Sequence, residues 1–164
     1  MLSSFPSTRT QTHWRGITNP AIWLLLCLTS TIITLIITII INVTVVQDGS
    51  NDYSYDTGKS TMLPIPVFAT IWTAIDLVVC RFALLSPIHA LVMSLILALG
   101  YVVTAAITIA MYEWDTDGSW APGVPMLFTF LLYTIYMSYA ARAIHAGKKI
   151  SKSNQRMSNL QGDA

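Results

Sequence analysis

Charge is what this chain has least of. Nine Lys/Arg and eight Asp/Glu are spread over 164 residues, so charged residues make up 10%, against roughly 25% in a soluble domain. A water-soluble fold of this size would have almost nothing to cover its surface with. Cysteine is scarce too: Cys27 and Cys80 are the only two. Both fall inside apolar runs, which excludes a disulfide framework and zinc-type spacing. No His/Glu pair has metal-ligand spacing, no internal repeat is visible, and nothing argues for nucleic acid. The formal net charge of +1 is uninformative as a sum. No cofactor or metal is called for.

What the chain has instead is four long apolar runs, at about residues 21–46, 66–85, 88–111 and 124–143. A bilayer hydrocarbon core is about 30 Å thick and takes roughly 20 apolar residues in a helix. The expectation is therefore an all-α fold, an integral membrane antiparallel four-helix bundle over residues 21–146. Residues 1–20 would form a cytosolic N-terminal segment, and 147–164 a basic cytosolic tail without regular structure. The first run is too long for a secretory h-region and no small-residue cleavage site follows it, so it reads as a retained helix. Neither a myristoylation start nor a prenylation box is present.

The charges are sorted by side. Under a four-span reading, eight of the nine Lys/Arg share one face: Arg9, Arg15, Arg81, Arg142, Lys148, Lys149, Lys152 and Arg156. The other face holds Lys59 with Asp48, Asp52, Asp56, Glu113, Asp115 and Asp117. The positive-inside rule then puts both termini in the cytosol. The basic tail would also favour an anionic leaflet, at about 1 kcal/mol per cation.

The connections fit this layout. Residues 47–63 read as an irregular external loop closed by Pro64 and Pro66, where a missing N–H costs little. Leu85-Ser86-Pro87-Ile88 is so short that the second and third spans must be antiparallel neighbours. Trp114 and Trp120 bracket the second external loop as depth anchors, with Trp14 and Trp23 doing the same on the other side. Asp115-Thr116-Asp117-Gly118-Ser119 has the opening of a calcium loop, but its glycine comes two positions early and Met126 stands at position twelve. Asn42-Val43-Thr44 has the form of a glycosylation sequon. It lies so close to the end of the first span that we expect it to stay unmodified.

Cys27, Thr31, Thr34, Thr38 and Asn42 recur at three- and four-residue steps, which places them on one face of the first span. Gly100, Thr104 and Thr108 form a small-residue ridge on the third. Such residues let helices approach closely in lipid, and Thr hydroxyls can bond their own backbone. Helix packing is the preferred reading of Thr31, Thr34, Thr38, Gly100, Thr104 and Thr108; a polar path for a solute is the alternative. Cys80 is a small buried hydrophobe or, in the alternative, a palmitoylation site.

Asp76 resists a bland account. An ionisable group at mid-helix costs about 2.5–3.5 kcal/mol on insertion scales and is usually paired or functional. Its candidate partners are Thr31, Thr34, Thr73, Tyr133 and Tyr136, with Arg81 snorkelling nearby. It is either a polar clamp between helices or an acid. His89 and His145 read as ordinary interfacial residues.

Four spans, cytosolic termini, a tight turn between spans two and three and a charged tail after span four together make an architecture that resembles the MARVEL-like four-span membrane proteins. The resemblance covers about residues 18–150 and is carried by layout, without a residue signature; the loop cysteines of some tetraspan families have no counterpart. It implies a non-enzymatic role in membrane organisation or trafficking, at the plasma membrane or in the endomembrane system. The partners it implies are membrane lipids and a second copy or other membrane proteins. One alternative is a small membrane-embedded cyclase or isomerase, with Asp76 as the acid and Trp72, Tyr133 and Tyr136 lining an aromatic pocket. Another is a transporter subunit using Asp76 and the threonine face.

Overall fold

A computed structural model of the chain describes residues 20–46, 60–82, 85–112 and 120–162. The N-terminal segment, most of both longer loops with their acids, Lys59, Trp14 and Trp114, and the calcium-like Asp115–Ser119 stretch lie outside the described residues.

Among the described residues the fold is all-helical. Helix α1 covers Pro20–Ile41 and passes into a five-residue π-turn, Asn42–Val46. Helices α2, α3 and α4 cover Pro64–Phe82, Pro87–Tyr112 and Gly123–Gly162. Four segments among the described residues are long and apolar enough to cross a membrane by length and composition: Pro20–Thr44, Ser60–Phe82, Pro87–Tyr112 and Gly123–Ala146.

The helix starts follow from proline chemistry. Pro64 and Pro66 sit in the first turn of α2, where no intrahelical N–H is lost, and the first bond there is Val67 N–H to Leu63 O at 3.2 Å. Pro87 opens α3 after Ser86, whose carbonyl accepts from Ala90 N–H at 3.0 Å. A turn over Trp120–Pro122 leads into α4, and Pro125 again falls in the first turn.

Each helix packs against its chain neighbours, and α4 closes the ring onto α1. Cross-helix contacts run backwards along each pair. Asn42 meets Met62 between α1 and α2, and His89 meets Asp76 between α2 and α3. Tyr101 meets Tyr133 between α3 and α4, while Trp23 meets Tyr139 and Ser30 meets Thr129 between α1 and α4. All four neighbouring pairs are thus antiparallel. Gly100 belongs to the α2–α3 approach, since a Cβ there would lie 3.1 Å from the Ile65 side chain. Gly123 is tighter still, with a Cβ position 2.6 Å from Ile109.

The distribution of side chains is inverted relative to a water-soluble bundle. Inside lie Ala21, Cys27, Ala69, Ala105 and Ala140 with Tyr101, Tyr133, Tyr136 and a set of threonines. Outside lie Ile33, Ile36, Ile71, Val78, Leu99, Val103, Phe128 and Leu131. The tail differs from its sequence-based expectation. α4 runs 40 residues to Gly162, so the stretch from Gly147 is helical rather than irregular. The helix extends about 60 Å at 1.5 Å per residue. After Pro125 the rest of α4 contains no proline to break it, and Lys, Gln, Arg, Met and Leu are good helix formers.

Candidate functional site

The buried face of α2 is Pro66, Ala69, Thr73, Asp76 and Cys80, a three-four repeat that turns Asp76 inward. Asp76 sits about 9 Å from the end of α2, six residues at 1.5 Å each. The short connection to α3 folds the first turn of that helix back against it. As a result His89 Nε2 lies 3.1 Å from Asp76 Oδ1. The Asp76 side chain is 7% exposed and that of His89 is 45% exposed. The carboxylate is therefore held inside the bundle while the imidazole spans from it to the outside. With Nε2 protonated, the ring donates to the carboxylate whether it is neutral or charged.

An aromatic row borders this pair. The Trp72 ring lies 6.2 Å from the His89 ring, and Phe68 stacks on Trp72 at 5.7 Å. Trp72 Nε1 is buried without a hydrogen-bond partner among the described residues. One turn before Asp76, Thr73 Oγ1 and the Tyr133 hydroxyl are 2.6 Å apart, and Tyr133 stacks on Tyr101 at 5.9 Å. The Tyr136 hydroxyl is buried with no partner among the described residues.

Four of the five expected partners of Asp76 are engaged elsewhere, and the fifth, Tyr136, makes no hydrogen bond among the described residues. Thr31 donates to Leu28 O and Thr34 to Ser30 O, both at 2.8 Å. Thr73 and Tyr133 take each other. Arg81 is exposed, with its guanidinium 5.5 Å from the Phe82 ring centre. His89, set aside in the sequence as an ordinary interfacial residue, is the partner instead. The signal that could have found it is the four-residue connection, which must return the start of α3 to the last turns of α2.

A second polar cluster joins α1 to α4. Ser30 Oγ lies 2.7 Å from Thr129 Oγ1, Thr34 Oγ1 lies 2.9 Å from the same atom, and Thr129 donates to Pro125 O at 2.9 Å. Thr38 is buried and donates to Thr34 O at 2.7 Å. Thr129 has no sequence signal of its own, because the next threonine on α4, Thr134, is five residues on and so falls on a different face. Thr104 and Thr108 are buried on α3; Thr108 Oγ1 has no partner among the described residues. Asn42 is buried and its Nδ2 faces Met62 Sδ at 4.0 Å. Trp23 packs on Tyr139 with ring centres 4.6 Å apart, and Trp120 is exposed at the entry to α4. Cys27 and Cys80 are buried free thiols.

Among the described residues no three His, Cys, Asp or Glu side chains group as a metal site. Comparison with protein-family models, curated proteins and solved structures finds no match for the chain. The polar groups near Asp76 can hold a proton and orient an imidazole; those between α1 and α4 tie helices together.

Proposed function

We propose that this chain is a multi-pass membrane protein of MARVEL-like architecture, with both termini in the cytosol, that organises or packs within the membrane and does not catalyse a reaction. The observation that carries the reading is the inverted polarity of each helix. On α1, Thr31 and Thr34 are buried while Ile33 and Ile36, beside them, are each 50% exposed. Water would penalise that outer surface, whereas hydrocarbon accepts it at no cost. Inside, the hydroxyl groups are largely consumed by their own backbone or by a neighbouring helix, which keeps them inexpensive in lipid. The Lys/Arg bias supports the orientation.

Three measurements test this. The chain should stay with the membrane through alkaline carbonate and leave it only with detergent. Epitope tags on both ends should be reached only after the cytosolic face is opened. A tagged chain should cluster in a lipid-dependent way; uniform monomers in every membrane tried count against the organising role.

One observation favours a second reading. The Asp76–His89 contact pairs a buried carboxylate with a half-exposed imidazole beside Trp72, an arrangement able to pass a proton to a lipophilic substrate of a cyclase or isomerase. If expressing cells make the same lipophilic products after Asp76→Asn as before, this reading is removed.

A further inference from the structure

Between α1 and α4 lies a lateral groove of about 260 Å³, just below the usual range of roughly 300–1,000 Å³ for sites that engulf a drug-sized molecule. Its walls are one face of each helix. Leu26, Ser30 and Ile33 come from α1, and Pro125, Phe128 and Leu132 from α4. Both sets recur at three- and four-residue steps, so the groove runs along the helices and not across them. From Leu26 to Ile33 it is about 10 Å long. Its depth places it wholly within the apolar segments Pro20–Thr44 and Gly123–Ala146.

The lining offers an occupant nothing to hydrogen-bond. Thr29 donates to Leu25 O at 2.8 Å, Ser30 and Thr34 share Thr129, and Thr129 donates to Pro125 O. The hydroxyls at the groove are therefore already satisfied within the protein, and what remains to be covered is hydrocarbon. Ile33 and Phe128 on the rims are 50% and 59% exposed, so the groove opens directly onto the outer apolar surface.

We infer that this groove is a binding site for one acyl chain of a membrane lipid, lying parallel to the helices with its headgroup outside the groove. The inference rests on the membrane reading above. Its direction matches a chain standing in a leaflet, its length of about 10 Å seats the greater part of the roughly 15 Å that one chain spans there, and the self-satisfied hydroxyl floor removes any need for a polar ligand. The hydroxyl cluster fixes the spacing of α1 and α4 beneath the chain, which keeps the groove open.

The test uses the full chain in phosphatidylcholine vesicles containing a phospholipid with a photoactivatable diazirine in mid-chain, followed by peptide mapping. Labelling should concentrate on Leu26–Ile33 and Pro125–Leu132, above the lipid-facing surfaces around Ile71–Val78 and Leu95–Val103. Filling the groove with Ile33→Trp should lower labelling of those two segments about tenfold, equivalent to ~1.4 kcal/mol of lost fit. Labelling on α2 and α3 should be unchanged. Leu26→Phe, a milder filling variant, should give an intermediate loss and guards against a misfolded tryptophan variant. Even labelling of all four helices overturns the site and leaves the membrane reading standing; no labelling anywhere overturns the membrane reading itself. A photoactivatable sterol that labels the groove in preference to the phospholipid, or a cross-link there between two copies of the chain, also overturns the acyl-chain assignment.

Discussion

Tyr133 on α4 hydrogen-bonds Thr73 on α2 across the diagonal of the bundle, hydroxyl to hydroxyl at 2.6 Å, while its ring stacks on Tyr101 of α3. One side chain therefore fixes its own helix against two others. Tyr133→Phe keeps the stack and removes the bond, which should destabilise the purified protein by about 0.5–1.5 kcal/mol. Adding Thr73→Val to Tyr133→Phe should cost little more. A double-mutant cycle in denaturant titrations measures the coupling; strictly additive losses would show that the bond contributes nothing.

The Asp76–His89 pair gives an asymmetric expectation. Asp76→Asn retains an acceptor for the imidazole and should fold with little loss. His89→Ala leaves a carboxylate inside the bundle without its partner and should cost about 1–3 kcal/mol, below the figure for a fully buried pair because His89 is half exposed. Combining Asp76→Asn with His89→Ala should restore most of the stability. Thermal unfolding in detergent reads all three, and equal losses for the two single variants would remove the clamp.

Gly123 lets the start of α4 close on α3. Gly123→Val places branched carbons where Ile109 already stands, 2.6 Å from the Cβ position. Overpacking of this kind costs about 1–3 kcal/mol. Gly100→Ala, whose Cβ would lie 3.1 Å from the flexible end of Ile65, should cost less. Comparison of the two midpoints checks the order.

The hydroxyl cluster predicts that Thr129→Val hurts more than Thr29→Val. The first removes the shared partner of Ser30 and Thr34; the second removes only a bond within α1, from Thr29 to Leu25 O. A difference of about 1 kcal/mol in favour of the Thr29 variant is expected.

Asn42 is buried and turned toward Met62. Expressed in cells that glycosylate, the chain should run on gels at the same position before and after glycosidase treatment. A shift abolished by Asn42→Gln would contradict the packing at the end of α1.

The sequence by itself determined the number of apolar helices, where each begins to within a few residues, and the inward-turned threonine face of α1. Run length, proline position and three-four spacing are local properties that place Thr31, Thr34 and Thr38 on one inward face, and the cost of an ionisable group in lipid turns Asp76 inward as well. Only the tertiary structure decided who meets whom. Ser30 and Thr34 share Thr129, Thr73 takes Tyr133, and Asp76 takes His89, because partner choice depends on helix order, rotation and axial offset. Those follow from close packing summed over the whole bundle, where an error of one residue rotates a side chain by about 100° and breaks a hydrogen bond.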